Sequence, residues 1–281
     1  MKDLLIIDAS AIIHRSFHAL PPLTSPAQEP IGAIYGLVST LIKVLKKQPP
    51  DYIVAAFDRP EPTFRKKMFA AYKAQRPPAP NELIFQIIKA HEVFAKFKIP
   101  SFEIPGYEAD DLIGTLAAKF GDEENLRTII LTGDLDTLQL VKNDKIIVQF
   151  LEKKIGETKI YNEAAIIARY GLKPNQLIDY KALVGDPSDN IPGVKGVGAK
   201  TAAGLLQKYG SLEKIYAKLD PADRIAPKIL PFKEEAFLCQ KLTAIDLTAP
   251  LQTKLADLRY EETDGELLAY LRNLGFQSLI A

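Results

Sequence analysis

Three short apolar runs each close on an aspartate: Leu4-Leu5-Ile6-Ile7-Asp8, Tyr52-Ile53-Val54-Ala55-Ala56-Phe57-Asp58 and Thr128-Ile129-Ile130-Leu131-Thr132-Gly133-Asp134. Apolar residues at successive rather than alternate positions suit strands covered on both faces, the condition of a parallel sheet. Helical patterns at 34–47, 82–97 and 108–120 separate the runs, so strand and helix alternate in α/β fashion. Ligands of such sheets bind beyond the carboxyl ends of the strands. Three aspartates therefore reach the edge where a site is expected. A further apolar run at 145–151 adds another strand.

From about residue 162 the pattern becomes mainly helical, with candidates at 162–170, 174–184, 199–209 and 212–219, while the text after 220 is too weakly patterned to assign. A boundary is expected near 160, giving units of 1–160 and 161–281. No apolar run approaches the ~20 residues needed to cross a bilayer, so no membrane contact is expected. Cys239 is the only cysteine, which excludes an internal disulfide and thiol-rich metal sites and fits a reducing cytoplasm.

The 36 basic and 35 acidic residues nearly cancel, to a formal charge of +1, which argues against a uniformly basic surface. The charges are segregated instead. No acid occurs between Glu61 and Glu82, where Arg65, Lys66, Lys67, Lys73 and Arg76 lie, and none between Asp189 and Glu213, where Lys195, Lys200 and Lys208 lie. Such alternation suits a chain that grips phosphates in some places and holds cations in another.

Acids also gather at element ends. Glu108-Ala109-Asp110-Asp111 opens a helix, with Glu108 and Asp111 on one face. Asp134 and Asp136 lie two positions apart after the third run, and Asp186 and Asp189 precede a glycine-rich turn. Taken singly, an acid in a first helical turn complements the dipole, and an Asp after a strand forms a turn. Taken together, Asp8, Asp58, Glu108, Asp110, Asp111, Asp134, Asp136, Asp186 and Asp189 would repel one another if they converged without counter-charge. Hard divalent cations relieve this, and an all-carboxylate set without histidine or cysteine favours Mg²⁺ or Mn²⁺ over zinc. Two such ions ~3.5–4 Å apart can activate water and stabilise the leaving oxygen in phosphodiester hydrolysis. Gly193-Val194-Lys195-Gly196-Val197-Gly198 follows, with a small-residue helix starting near Ala199. Its glycines free backbone N–H groups, and the helix dipole adds positive potential, an arrangement suited to phosphate.

The combination of LLIIDAS, VAAFD, FRKKMFAAYKAQR, GYEADD, TGDLDTLQLV and GDPSDNIPGVKGVGAKTA resembles the 5′-nuclease domain of bacterial DNA polymerase I, within the flap endonuclease superfamily. The resemblance spans nearly the whole chain. It implies an α/β, PIN-like and mostly parallel sheet flanked by helices, a helical arch near 60–82, and a C-terminal helix-three-turn-helix near 174–210. By motif position it assigns Asp8, Asp58, Glu108 and Asp110 to a first metal cluster and Asp111, Asp134, Asp136, Asp186 and Asp189 to a second. It gives Lys73 and Arg76 a catalytic role at the scissile phosphate. It gives Arg65, Lys66 and Tyr72 contacts to the 5′ strand, and Gly193, Lys195, Gly196, Gly198 and Lys200 contacts to duplex phosphates, with K⁺ at the hairpin. Phe17 stands where the family carries an aromatic near the DNA junction. Leu135 departs from the pattern, occupying a place where lysine is common.

The expected activity is structure-selective hydrolysis of DNA beside a 5′ single strand, as 5′→3′ exonuclease and flap endonuclease, in primer removal and repair. The expected partner is DNA carrying a flap, nick or RNA/DNA end; a monomer is expected, with a polymerase domain linked in a longer protein. Two rivals remain open: a junction-binding module without catalysis, and a PIN-type ribonuclease. The complete acid set argues against the first, and the duplex-gripping turn against the second.

Overall fold

The computed structural model describes every residue except 153, 155, 264 and 281. The apolar runs form β1 (Lys2–Asp8), β2 (Tyr52–Ala56) and β4 (Leu126–Thr132), joined by β3 (Ser101–Phe102), β5 (Ile146–Leu151) and β6 (Thr158–Tyr161). One sheet results, in the order β3-β2-β1-β4-β5-β6. All its pairings are parallel except β5 with β6. Helices α1 (Ala9–Ala19), α2 (Gly32–Lys47), α3 (Phe64–Met68), α4 (Asn81–Lys96) and α5 (Ala109–Phe120) fall between the strands.

Successive side chains of a strand point to opposite faces, and here both faces are cores. Leu4 and Ile6 of β1 and Val54 and Ala56 of β2 enter a core with α5. Leu5, Ile7, Ile53 and Ala55 enter a second core with α1, α2 and α4. This explains why the runs are uninterrupted. It also fixes register: a slip of one residue would exchange the two sets.

After β6 come α6 (Glu163–Tyr170), α7 (Leu177–Val184), α8 (Ala199–Tyr209), α9 (Leu212–Lys218), α10 (Ala226–Ile229), α11 (Lys233–Thr243), α12 (Gly265–Asn273) and α13 (Gln277–Ile280). Ile166, Leu183, Leu206, Ile215 and Leu242 share the α5-side core with the sheet. Leu267, Leu271, Leu274 and Phe276 return to the opposite core beside α2 and α4. Residues after β6 thus contribute to the cores on both faces of the sheet.

One sequence expectation needs correction, and one helix went unread. Helix α1 follows Asp8 directly, a start hidden by the same apolar residues that mark the strand. The segment expected as a helical arch is helical only over Phe64–Met68, and turns carry it onward through Arg76. It lies closed against residues 187–190: Gln75 donates to the Pro187 and Ser188 carbonyls, and Asn190 donates to Ala71 O at 2.7 Å. Its prolines, Pro77, Pro78 and Pro80, bar helix until α4.

Candidate active site

The carboxyl edge of the sheet is knitted from the motif residues. Asp8 caps α1, accepting from Ala11 N–H at 2.9 Å, and its second oxygen accepts from Thr132 Oγ1 at 2.6 Å. Thr132 ends β4, so one carboxylate ties two strand ends together. The Asp58 N–H donates to Ser10 Oγ, and its carboxylate accepts from Ala109 N–H, both at 2.8 Å, which seats the first turn of α5. Asp134 accepts from Asp136 N–H at 2.8 Å. A cleft of ≈ 240 Å³ opens at this edge, lined by Asp8, Asp58, Glu108, Asp110 and Asp134 together with His14, Lys73 and Arg76.

The electrostatics of this cleft are unfavourable to bare carboxylates. Burial raises the Asp8 carboxyl to about 7, and the neighbouring Asp58 and Asp134 add to the effect. Asp110 is pushed well above the ordinary carboxylate range, first by burial and then by Asp134, Asp8, Asp136 and Asp58. Burial and Asp134 bring Asp136 to about 7 despite Lys181. Among the described residues no three such side chains stand close enough to share one ion as they lie. Their chemistry nonetheless fits a hard divalent cation: oxygen donors only, partly buried, with charge that an external cation would stabilise.

Cations of the chain supply part of the counter-charge. Lys73 Nζ lies 3.0 Å from Glu108 Oε2 and 3.7 Å from Asp189 Oδ2, and Arg76 pairs with Asp189 at 2.6 Å. Lys73 adopts φ 52°, held there by its N–H donating to Asp189 O at 2.9 Å. Lys181, on α7, bridges Asp136 and Asp186. Sequence reading missed Lys181, whose only signal is its position one helical turn before the Gly185–Asp186 loop. It also missed Ser10 and Thr132, which lie inside the motifs already noted.

Four of the expected site residues are set apart by burial or bonding. Asp111 is fully buried and satisfied: Arg65 donates to both its oxygens at 2.8 and 2.7 Å, and the Glu108 and Asp246 N–H groups add bonds of 3.0 and 2.9 Å. Both oxygens of this carboxylate are thus engaged by the chain itself. Arg65, whose side chain is 3% exposed, also donates to the Leu242 and Ala244 carbonyls and has no face for DNA. Tyr72 is buried as well; its hydroxyl donates to Glu108 and Asp189 at 3.0 and 3.1 Å. Asp189 therefore sits with Glu108, Tyr72, Lys73 and Arg76 rather than with Asp136 and Asp186. The bridge between Asp186 and Ile191 turns the two aspartates of this loop toward different carboxylate groups.

The glycine-rich turn divides in function. Gly193 has φ 65°, and a Cβ there would lie 2.3 Å from Gly185 N. Gly193 is buried and builds the turn, which sets it apart from the exposed positions that follow. Val194 and Val197 are buried anchors, whereas Lys195, Gly196, Gly198 and Lys200 are exposed. Lys66 turns inward, donating to Tyr72 O at 3.1 Å. Phe17 is half-buried, edge-to-face with His18 at 5.3 Å.

Comparison with known proteins bears on this geometry. Residues 3–171 match the model "5'-3' exonuclease, N-terminal resolvase-like domain", and residues 172–266 match "5'-3' exonuclease, C-terminal SAM fold". The chain is 43% identical to a DNA polymerase I of Caldicellulosiruptor bescii, covering 99% of this chain and 33% of that protein. It is 38% identical to a 5'-3' exonuclease of Aquifex aeolicus, covering 100% of this chain and 94% of that one. The chain thus spans about a third of the polymerase relatives' length. In fold it is similar to the T5 D15 protein co-crystallised with metal ions, at TM-score 0.71, 22% identity and 88% and 90% coverage. It is also similar to the catalytic core of Rad2 in complex with DNA substrate, at TM-score 0.63, 19% identity and 97% and 87% coverage.

Proposed function

The chain belongs to the 5'-3' exonuclease family, and from that premise we propose that it hydrolyses DNA phosphodiester bonds where a 5′ single strand meets duplex. It acts as an exonuclease on 5′ ends and as an endonuclease on flaps. The observation that carries this reading is the convergence of Asp8, Asp58, Glu108, Asp110 and Asp134 on one cleft with Lys73 and Arg76. Three strand ends and one helix start have no packing reason to gather that many acids.

Mg²⁺, with Mn²⁺ as its substitute, is the proposed cofactor, held by Asp8, Asp58, Glu108 and Asp110 on one side and by Asp134, Asp136 and Asp186 on the other. Bound there, divalent cations supply activation of water and stabilisation of charge on the phosphate oxygens. Lys73 and Arg76 face the same cleft and offset charge that develops on the phosphate. Asp189 orients them while the cleft is empty of substrate. Thr132 fixes the carboxylate of Asp8 and Ala109 N–H that of Asp58, while Ser10 Oγ accepts from the Asp58 backbone N–H. The exposed Lys195, Gly196, Gly198 and Lys200 take phosphates of the duplex without reading sequence. In relatives named DNA polymerase I this unit is about a third of the chain, and the proposal extends to primer removal beside a linked polymerase.

Cleavage of a 5′-labelled flap DNA in Mg²⁺ and in EDTA, beside the same duplex without a flap, tests the reading. Metal-dependent cutting at the junction is expected. Tight flap binding without cutting in Mg²⁺ or Mn²⁺ would leave only a junction-binding module.

A further inference from the structure

Lys181 projects from the last turns of α7 between two carboxylates that come from different parts of the fold, Asp136 after β4 and Asp186 in the loop after α7. Its ammonium donates to Asp136 Oδ1 and to Asp186 Oδ2, the latter at 2.6 Å. The other Asp186 oxygen is already filled, accepting from Ser188 Oγ at 2.6 Å and Ser188 N–H at 2.8 Å. On Asp186 the oxygen left for an incoming cation is therefore the one Lys181 occupies, and on Asp136 Lys181 holds one of the two. The lysine side chain is about a quarter exposed, 24%, so a path to solvent is open to it.

We propose that Lys181 is a built-in, exchangeable counter-ion of the second carboxylate group, and that it competes with a divalent cation for Asp136 and Asp186. The inference rests on the reading that a divalent cation binds there. Lysine suits such an exchange because its charge is a compact point on a flexible four-carbon stem, able to bridge two carboxylates and then swing into water, whereas a guanidinium would lock them in a planar fork. In the metal-free protein the ammonium holds apart two acids that would otherwise repel. Loading the site exchanges it for a doubly charged ion, and the freed ammonium then stands beside the cleft as an extra positive charge for the substrate backbone.

Calorimetric titration of the full chain with Mn²⁺, without DNA, tests this in wild type, Lys181→Met and Lys181→Arg, alongside melting temperatures in EDTA and in saturating Mn²⁺. An energetic coupling between two distinct binding sites ordinarily amounts to a ~5–150-fold change in affinity, and that span is taken as the scale here. Lys181→Met is expected to bind Mn²⁺ tighter by a factor in that range, to melt lower than wild type in EDTA, and to recover that deficit in Mn²⁺. Lys181→Arg is expected to keep the weaker affinity. Lys181→Gln, which keeps donors but no charge, must move affinity in the same direction as Met and serves if the Met variant does not fold. Unchanged or weaker Mn²⁺ affinity in the neutral variants, or an equal melting deficit with and without Mn²⁺, would mark Lys181 as merely structural. If Mn²⁺ binds neither wild type nor variant, the metal reading falls and this inference with it.

Discussion

The Arg65 guanidinium grips the Asp111 carboxylate through two parallel hydrogen bonds of 2.8 and 2.7 Å, with 3% and 0% of the two side chains exposed. Around this pair three distant stretches meet: α3 through Arg65, the start of α5 through the Glu108 N–H, and the end of α11 with the turn after it through the Leu242 and Ala244 carbonyls and the Asp246 N–H. Removing one partner of a buried ion pair strands the other, at a cost of about 3–5 kcal/mol. Asp111→Ala is therefore expected to lose stability of that order in urea unfolding, with metal affinity near that of wild type once folded. Normal stability with lost metal binding would return Asp111 to the ligands.

Asp134 stands in the cleft among carboxylates whose protonation it already affects. Asp134→Asn removes one negative charge from beside Asp8 and Asp110, so both carboxyls should ionise at lower pH. The variant is expected to lose at least ~100-fold in cleavage, since loss even of groups behind a ligand costs 10–100-fold. Flap binding should persist. Its metal-free form should melt above wild type, because less repulsion remains. Turnover close to wild type would remove Asp134 from the metal site.

The strands that carry the cleft were legible in the sequence because burial on both faces leaves an uninterrupted apolar run, and the terminal aspartates marked the functional edge. The buried pairing of Asp111 was hidden for the opposite reason. Its neighbours Glu108 and Asp110 belong to the cleft, and nothing local distinguishes an acid facing a cleft from one facing an arginine 46 positions away. Asp186 and Asp189 likewise share a loop, yet a two-residue bridge sends them to different partners. Lys181 was invisible because its role depends on Asp136, which the sheet brings to it. Side-chain direction across long separations is fixed by packing, and motif spacing does not encode it.

The raised carboxyls set a pH dependence. In the unfolded chain these aspartates titrate near the ordinary 3.8, whereas folded Asp8 and Asp136 hold their protons to about 7 and Asp110 beyond the usual range. Between about pH 4 and 7 the folded state binds more protons than the unfolded one, so metal-free stability falls as pH rises through 7. Asp186, lowered to about 2 by its bonds to Lys181 and Ser188, has completed its titration below this window. His14, lowered by burial, acts in the opposite direction but is a single half-exposed ring. Melting temperatures in EDTA are expected to fall from pH 5 to 8, and Mg²⁺ to raise them by an increment that grows with pH. A metal-free melting point that rises across this range would contradict the charge crowding described for the cleft.

Lys73 is held at φ 52° with its ammonium on Glu108 and Asp189. If its charge serves the phosphate in the transition state, Lys73→Ala should lower kcat by about 10²–10³-fold, the range for losing one preorganised stabilising group. Flap affinity should change little. A rise in Kd with kcat intact would make Lys73 a binding residue only.

Two neighbouring residues of the glycine-rich turn should separate fold from DNA contact. Gly193 lies at positive φ with its Cα against the Gly185 backbone, so Gly193→Ala must strain the chain and push Gly185 aside. A loss of about 1–3 kcal/mol in stability is expected, and the salt dependence of duplex binding should hold once the variant is folded. Lys195 is exposed two residues on, between the buried anchors Val194 and Val197. Lys195→Ala should leave the melting temperature alone and weaken duplex binding at every sequence alike. The slope of log K against log salt should become shallower by about 0.9, the value of one phosphate contact on B-form DNA. A slope unchanged by Lys195→Ala would mean that the turn meets no phosphate through this lysine, and would shift the duplex contact toward Lys200 at the start of α8.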